Sequence, residues 1–277
     1  MKVVLAEYLG FCYGVKRAIR LARSSAPESG KMACTLGPII HNPQMVERLA
    51  QEGVGMVNSI AELPSEGTVI IRSHGVGPDV YKETEERGLH VVDATCPHVR
   101  KAQMAANELG RDGCKVVIIG EKKHPEVKSI FEWSGKRAVV IETEEEADAL
   151  GYCNKMGIVA QTTFSGERFC SIVSHLLTKS NDIRILRTIC TATDQRQKAA
   201  ITLAGSVDIM LVIGGRNSAN TTRLAQLCAE KCKTYHIETV AELQDEWFDN
   251  IENIGITAGA STPDWVIREV YEKCQRI

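Results

Sequence analysis

Three cysteines stand out because the residues around them recur. Cys12, Cys96 and Cys190 each follow a strand-like run (residues 3–6, 90–95 and 183–189) and precede a helical pattern. A glycine comes next at nearly constant distance: Gly37 is 25 residues after Cys12, Gly120 is 24 after Cys96, and Gly214 is 24 after Cys190. Beyond the glycines stand His41, His124 and Ser218; two residues past the last two are Glu126 and Asn220. A second polar loop then follows another apolar run: Ser73-His74, Thr162-Thr163 and Ala260-Ser261-Thr262. Gly110 and Gly205 are expected to end the helices that start at Cys96 and Cys190, as glycines just past a helix terminus do.

These residue types suggest a chemistry. Thiolates are metal ligands, and three are one short of the four that close a zinc or iron–sulfur site, so one metal position would stay open to a substrate. Pro97 suits a first helical position, which puts the Cys96 sulfur near the positive end of a helix and favours its thiolate. The imidazoles of His41, His74 and His124, with the neutral donors of Ser218, Asn220 and Ser261, suit an anion held in loops. Glu126 beside such an anion is a candidate proton donor; half-protonation at neutral pH needs a shift of ~2.7 units from its reference value. The other seven cysteines (Cys34, Cys114, Cys153, Cys170, Cys228, Cys232 and Cys274) have no partner in the repeat and read as packing residues.

The elements that must position these side chains are legible as well. Continuous apolar runs at 116–119, 157–160 and 210–213 are of the kind buried in parallel sheets, with helical stretches between them. The expected fold is α/β: three similar α/β units with mainly parallel sheets, arranged pseudo-threefold around a central cleft. The units are 1–95 with Cys12, 96–189 with Cys96, and 190–277 with Cys190. All the singled-out residues fall at the carboxyl ends of strands, where α/β proteins bind ligands.

Composition narrows the field further. In 277 residues, 33 Lys and Arg stand against 35 Asp and Glu, a net charge of −2 that argues against nucleic-acid binding through bulk positive charge. No apolar run reaches the 18 residues a membrane helix needs. The apolar stretch before Glu7 is too short for a signal peptide, so the expected location is cytoplasmic, and the ten cysteines are not expected to form a disulfide framework there. Two alternatives stay open on spacing alone. Cys190 and Arg196 form the C-x5-R of a cysteine-dependent phosphatase, and three cysteines also suit an iron–sulfur sensor. A zinc hydrolase and a Rossmann dehydrogenase lack their motifs.

Taken in order, the motifs resemble those of the LytB (IspH) family of 4-hydroxy-3-methylbut-2-enyl diphosphate reductases. They are Gly10-Phe11-Cys12-Tyr13-Gly14-Val15, His41-Asn42-Pro43, Arg72-Ser73-His74-Gly75, Asp93-Ala94-Thr95-Cys96-Pro97, His124-Pro125-Glu126, Gln161-Thr162-Thr163, Thr188-Ile189-Cys190-Thr191-Ala192-Thr193, Asn217-Ser218-Ala219-Asn220 and Gly259-Ala260-Ser261-Thr262-Pro263-Asp264. The resemblance implies one 4Fe–4S cluster held by Cys12, Cys96 and Cys190, with the fourth iron open to substrate. It implies a diphosphate bound by His41, His74, His124, Ser218, Asn220 and Ser261, with Thr162 positioning the hydroxyl and Glu126 supplying the proton. Ala219 stands where the family pattern has Ser, so only its backbone N–H is left to face the diphosphate. The implied reaction removes the 4-hydroxyl as water with two electrons and two protons, giving isopentenyl and dimethylallyl diphosphate as the last step of the methylerythritol phosphate route. The implied electron source is reduced ferredoxin or flavodoxin.

Overall fold

A computed structural model describes residues 1–26, 32–64 and 66–277. Its strands are β1 (Lys2–Leu5), β2 (Ala33–Leu36), β3 (Val54–Val57), β4 (Thr68–Ile71), β5 (His90–Asp93), β6 (Lys115–Ile119), β7 (Val139–Ile141), β8 (Cys153–Ala160), β9 (Ser180–Leu186), β10 (Ile209–Ile213), β11 (Lys233–Ile237) and β12 (Asn253–Ala258). The helices are α1 (Tyr13–Ser24), α2 (Pro43–Gln51), α3 (Pro78–Glu86), α4 (Pro97–Arg111), α5 (Pro125–Trp133), α6 (Glu144–Asp148), α7 (Gly166–Leu176), α8 (Thr191–Ala204), α9 (Ala219–Ala229) and α10 (Asp264–Cys274).

The strands form three four-stranded sheets, with the orders β3-β2-β4-β5, β7-β6-β8-β9 and β11-β10-β12-β1. All their pairings are parallel. The order is the same in each. The first two strands of a sheet lie side by side, the third joins on the other flank, and the outer strand beyond it runs toward a cysteine. For the third sheet that outer strand is β1, whose Leu5 pairs with Ile256. The sequence reading puts residues 2–5 with the following unit. The difference is physical: a parallel edge strand joins whichever sheet has an open edge in register, and local pattern does not encode the partner.

Two compact units contain these sheets. One comprises residues 1–16, 40–47 and 191–277, and holds the β11-β10-β12-β1 sheet; the other comprises 17–39 and 48–190, and holds the remaining two. Each central strand is buried on both faces, as the continuous apolar runs require. In the first unit Leu211 and Ile213 pack with Ile256, Val266 and Val270, while Met210 and Val212 face Leu203 and Leu224. In the second, Val117 and Ile119 pack with Ile158 and Ile172, and Val116 and Ile118 with Ala106 and Ile130.

A third recurring signal went unread in the sequence. After β3, β7 and β11 a hydroxyl residue is followed three positions later by glutamate: Ser59/Glu62, Thr143/Glu146 and Thr239/Glu242. Each is a helix-start lock. The glutamate accepts the backbone N–H of Ser59 (2.9 Å), Glu142 (2.8 Å) or Thr239 (3.1 Å). Gly205 follows α8 as expected, but Gly110 lies inside α4, where an added Cβ would sit 3.0 Å from the Ser134 carbonyl. Gly113, with φ of 77°, takes the left-handed position past the end of α4 instead.

Leu211 is fully buried at the centre of β10. Leu211→Ala is expected to destabilise the fold by about 2–5 kcal/mol. Urea unfolding of the variant beside the parent measures it, and a midpoint unchanged from the parent's would contradict the packing described.

Candidate active site

Each of the three cysteines occupies the same backbone setting. The Cys12 N–H donates to the Ala260 carbonyl after β12 (3.2 Å), the Cys96 N–H to the Ser73 carbonyl after β4 (2.9 Å), and the Cys190 N–H to the Thr162 carbonyl after β8 (2.9 Å). Each immediately precedes a helix, α1, α4 or α8, with Cys96 as the N-cap residue. All three are partly exposed and none is in a disulfide. Helix N-termini favour thiolates, so this donor set suits a metal or an iron–sulfur cluster. None of the other seven directly precedes a helix, although Cys153 and Cys232 are likewise partly exposed. Cys34, Cys114, Cys228 and Cys274 are buried, and burial pushes the thiol of Cys228 up to about 12 and that of Cys274 to about 11. Cys170, expected in packing, is instead exposed on α7.

In the larger unit, Glu126 and Thr162 meet. Glu126 follows the N-cap His124 on α5, where the His124 Nδ1 accepts the Glu126 N–H at 3.2 Å. The residue is 2% exposed. Oε1 accepts the Thr162 N–H at 2.6 Å, and Oε2 lies 3.0 Å from Thr162 Oγ1. Burial pushes this carboxyl up to about 7; the two bonds from Thr162 oppose the shift and nearby Glu121 adds to it. His74 and His124 stand edge to face, with ring centroids 5.5 Å apart. Ser129, one turn beyond Glu126, donates to the His74 carbonyl (3.0 Å) and itself accepts from Gln103 Nε2 (3.0 Å). Ser129 and Gln103 were missed in the sequence, although a serine at i+3 from a buried glutamate shares its helix face.

In the smaller unit, Ser218, Asn220, Ser261 and His41 meet. Ser218 caps α9, its Oγ accepting the Thr221 N–H at 3.4 Å. Ser261 Oγ lies 3.5 Å from Ser218 Oγ and donates to the His41 carbonyl at 3.3 Å. Both amide atoms of Asn220 are buried without a hydrogen-bond partner, which leaves a donor and an acceptor for a ligand. Ala219 is the first residue of α9, where backbone N–H groups lack helical partners. The N-cap of α2 is Asn42, whose side chain accepts the Met45 N–H at 2.8 Å. In the repeat, then, Asn42 matches His124 and Ser218, and His41 stands one residue earlier because the first loop is one residue longer.

Arg196 does not favour the C-x5-R alternative. Its guanidinium donates to the backbone carbonyls of Gly10 (2.9 Å) and Ala192 (3.1 Å), so it is engaged as a structural tie.

The LytB protein family model matches residues 3–275. The chain belongs to the LytB family. It is 49% identical to the 4-hydroxy-3-methylbut-2-enyl diphosphate reductase of Geobacter sulfurreducens, over 99% of this chain and 97% of that protein. It is 46% identical to the reductase of the same name from Geobacter sp. strain M21, over 100% of this chain and 98% of that one. Among solved structures, it matches the E-1-hydroxy-2-methyl-but-2-enyl-4-diphosphate reductase of Plasmodium falciparum with a TM-score of 0.94 at 26% identity, covering 98% of this chain and 87% of that one. It also matches an (E)-4-hydroxy-3-methyl-but-2-enyl diphosphate reductase, described as the terminal enzyme of the non-mevalonate pathway, with a TM-score of 0.73 at 44% identity over the whole of both chains. LytB membership implies an iron–sulfur cofactor. No helix among the described residues is long and apolar enough to cross a membrane.

The Glu126 environment predicts a pH signature. The folded carboxyl titrates at about 7, above its unfolded value, so the folded chain holds an extra proton between the two. Stability should therefore fall as pH rises through that window, by about 3 kcal/mol in all. Glu126→Gln should flatten the profile; urea midpoints from pH 5 to 8 that fall equally in parent and variant would contradict it.

Proposed function

We propose that this LytB chain is a 4-hydroxy-3-methylbut-2-enyl diphosphate reductase. It takes two electrons and two protons, breaks the C4–O bond, releases the oxygen as water and gives isopentenyl and dimethylallyl diphosphate. Cys12, Cys96 and Cys190 hold one 4Fe–4S cluster with one iron left without a cysteine. Their shared backbone setting at helix starts supports that choice over the seven other cysteines. When bound, the cluster passes electrons one at a time and offers the open iron to the substrate hydroxyl. Reduced ferredoxin or flavodoxin is the matching one-electron donor. Ten cysteines outside any disulfide suit the reducing cytoplasm.

The protein's own residues supply binding and protons. His41, His74, His124, Ser218, Asn220 and Ser261 bind the diphosphate, with the N–H of Ala219 at the start of α9. The orphaned amide of Asn220 and the paired hydroxyls of Ser218 and Ser261 support an anion held by neutral donors. That is consistent with a chain whose net charge is only −2.

The buried Glu126–Thr162 pair is the observation that carries the reading. Oε1 accepts the Thr162 N–H, and Thr162 Oγ1 donates to Oε2 at 3.0 Å while the carboxylate is charged; when the carboxyl takes up its proton on Oε2, that bond reverses and Oε2–H faces Oγ1. The carboxyl gives this proton to Oγ1 while the threonine hydrogen passes outward to the departing oxygen. A carboxyl at about 7 is half protonated near neutral pH, the condition under which an acid can both give and regain a proton.

Anaerobic turnover with chemically reduced viologen and the diphosphate substrate tests the proposal: both isomeric products should appear, and their absence from iron-loaded protein would refute it. Glu126→Gln should keep its iron and sulfide but lose turnover by about 10²–10⁴-fold. Near-parental turnover would remove Glu126 as the donor. Cys12→Ser, Cys96→Ser and Cys190→Ser should each fail to assemble an intact cluster; full iron content in any one would free that cysteine from the ligand set.

A further inference from the structure

Two arginines grip the backbone beside the proposed cluster cysteines. Arg17, five residues after Cys12, donates through Nη1 to the Thr95 carbonyl (3.1 Å) and through Nη2 to the Asp93 carbonyl (3.3 Å). These carbonyls lie one and three residues before Cys96. Arg196, six residues after Cys190, donates to the Gly10 carbonyl, two residues before Cys12. Arg17 on α1 and Arg196 on α8 thus each present a guanidinium to the loop that approaches a cysteine.

We infer that Arg17 and Arg196 are positioning residues for the cluster: Arg17 sets the shape of the Cys96 loop and Arg196 that of the Cys12 loop. The inference rests on the ligand set proposed above. Neither arginine is placed to touch substrate, and both act through the peptide that carries a sulfur.

The surroundings of each loop show why a guanidinium is needed. At Cys12 the chain turns at Gly10, which has φ of 71° and whose absent Cβ would meet Ile267 Cδ1 at 2.9 Å. The turn is held by the Gly10 N–H to the Ala258 carbonyl (3.4 Å), the Cys12 N–H to the Ala260 carbonyl (3.2 Å), and the Arg196 guanidinium on the Gly10 carbonyl. Arg196 is only 6% exposed. A full charge so deep is costly, and it is kept where a planar fork must reach two carbonyls at once.

At Cys96, Arg17 bonds two carbonyls of one short loop. Asp93 fixes the other side of that loop: its Oδ1 accepts the Thr95 N–H (2.9 Å) and its Oδ2 accepts the Tyr81 hydroxyl (3.0 Å). Arg100 pairs with the same Oδ2, and its guanidinium lies 5.3 Å from the ring centres of Tyr81 and Trp133. Thr95 is therefore held at both its carbonyl and its N–H, which leaves the adjacent Cys96 little freedom. A lysine offers one ammonium in place of the fork and could hold only one carbonyl at a time.

Site-resolved thiol labelling tests the assignment without measuring turnover. Anaerobically reconstituted protein is treated with iodoacetamide, and alkylation of each cysteine is followed by peptide mass mapping. In the parent, all three ligand cysteines should be protected. In Arg196→Gln, Cys12 should label about tenfold faster, the kinetic equivalent of losing about 1.4 kcal/mol. Cys96, Cys190 and the buried Cys228 and Cys274 should keep parental rates. In Arg17→Gln the acceleration should move to Cys96. Arg196→Lys, which keeps the charge, should fall between parent and Arg196→Gln at Cys12. Unchanged rates at Cys12 and Cys96 would overturn the inference. So would an equal rise at every cysteine, because a general loss of structure has no reason to pick one ligand. A parent protein without bound iron and sulfide would instead overturn the ligand set itself, a failure visible before any variant is made.

Discussion

The backbone hydrogen bond from each ligand-type cysteine to the loop behind it is the constraint on which the rest depends. A parallel strand buried on both faces must release the chain at its carboxyl end, and there the peptide has lost its ladder partners. In this fold the N–H groups of Cys12, Cys96 and Cys190 find them again on the carbonyls of Ala260, Ser73 and Thr162. That one bond joins the outer strand of a sheet to the loop beyond its third strand. It also ties the thiol to the polar loop that holds Ser261, His74 or Thr162. The repeat therefore brings a thiol and a polar loop together each time.

The units have diverged on this frame. The position after the first strand is a helix N-cap in each, filled by Asn42, His124 and Ser218. Two residues on, one unit has Glu126 and another Asn220. Glu126 is packed where water cannot solvate its charge, so it keeps a proton near neutral pH. Asn220 has a neutral amide with both polar atoms buried and unmatched. The same backbone position thus carries a buried carboxyl in one repeat and an unmatched buried amide in another, and the side chain sets the chemistry available there.

Much of this was legible in the sequence. The central strands announced themselves because burial on both faces demands unbroken apolar runs such as 116–119 and 210–213. The cysteines and the glycines after them were found because offsets along a chain survive folding. What escaped depends on partners distant in sequence. Nothing in Val3-Val4-Leu5 says that it completes the sheet of Ile254 and Ile256. A one-residue longer loop moved His41 out of the frame that Asn42 occupies, and equal counting from Gly37, Gly120 and Gly214 concealed the slip. The arginine ties were hidden because backbone carbonyls accept from any donor and leave no mark in side-chain pattern; Arg196 suggested a phosphate grip only because its distance from Cys190 imitated one. The Ser/Thr-x-x-Glu locks were the one missed repeat that the sequence does display.

Anaerobic purification of the chain, followed by iron and acid-labile sulfide analysis, tests the central claim most directly. Three cysteines in one repeated setting, with a LytB sequence around them, predict about four iron and four sulfide per chain, the composition of a 4Fe–4S cluster. Protein that carries no iron or sulfide, and takes up neither on reconstitution, would contradict the account.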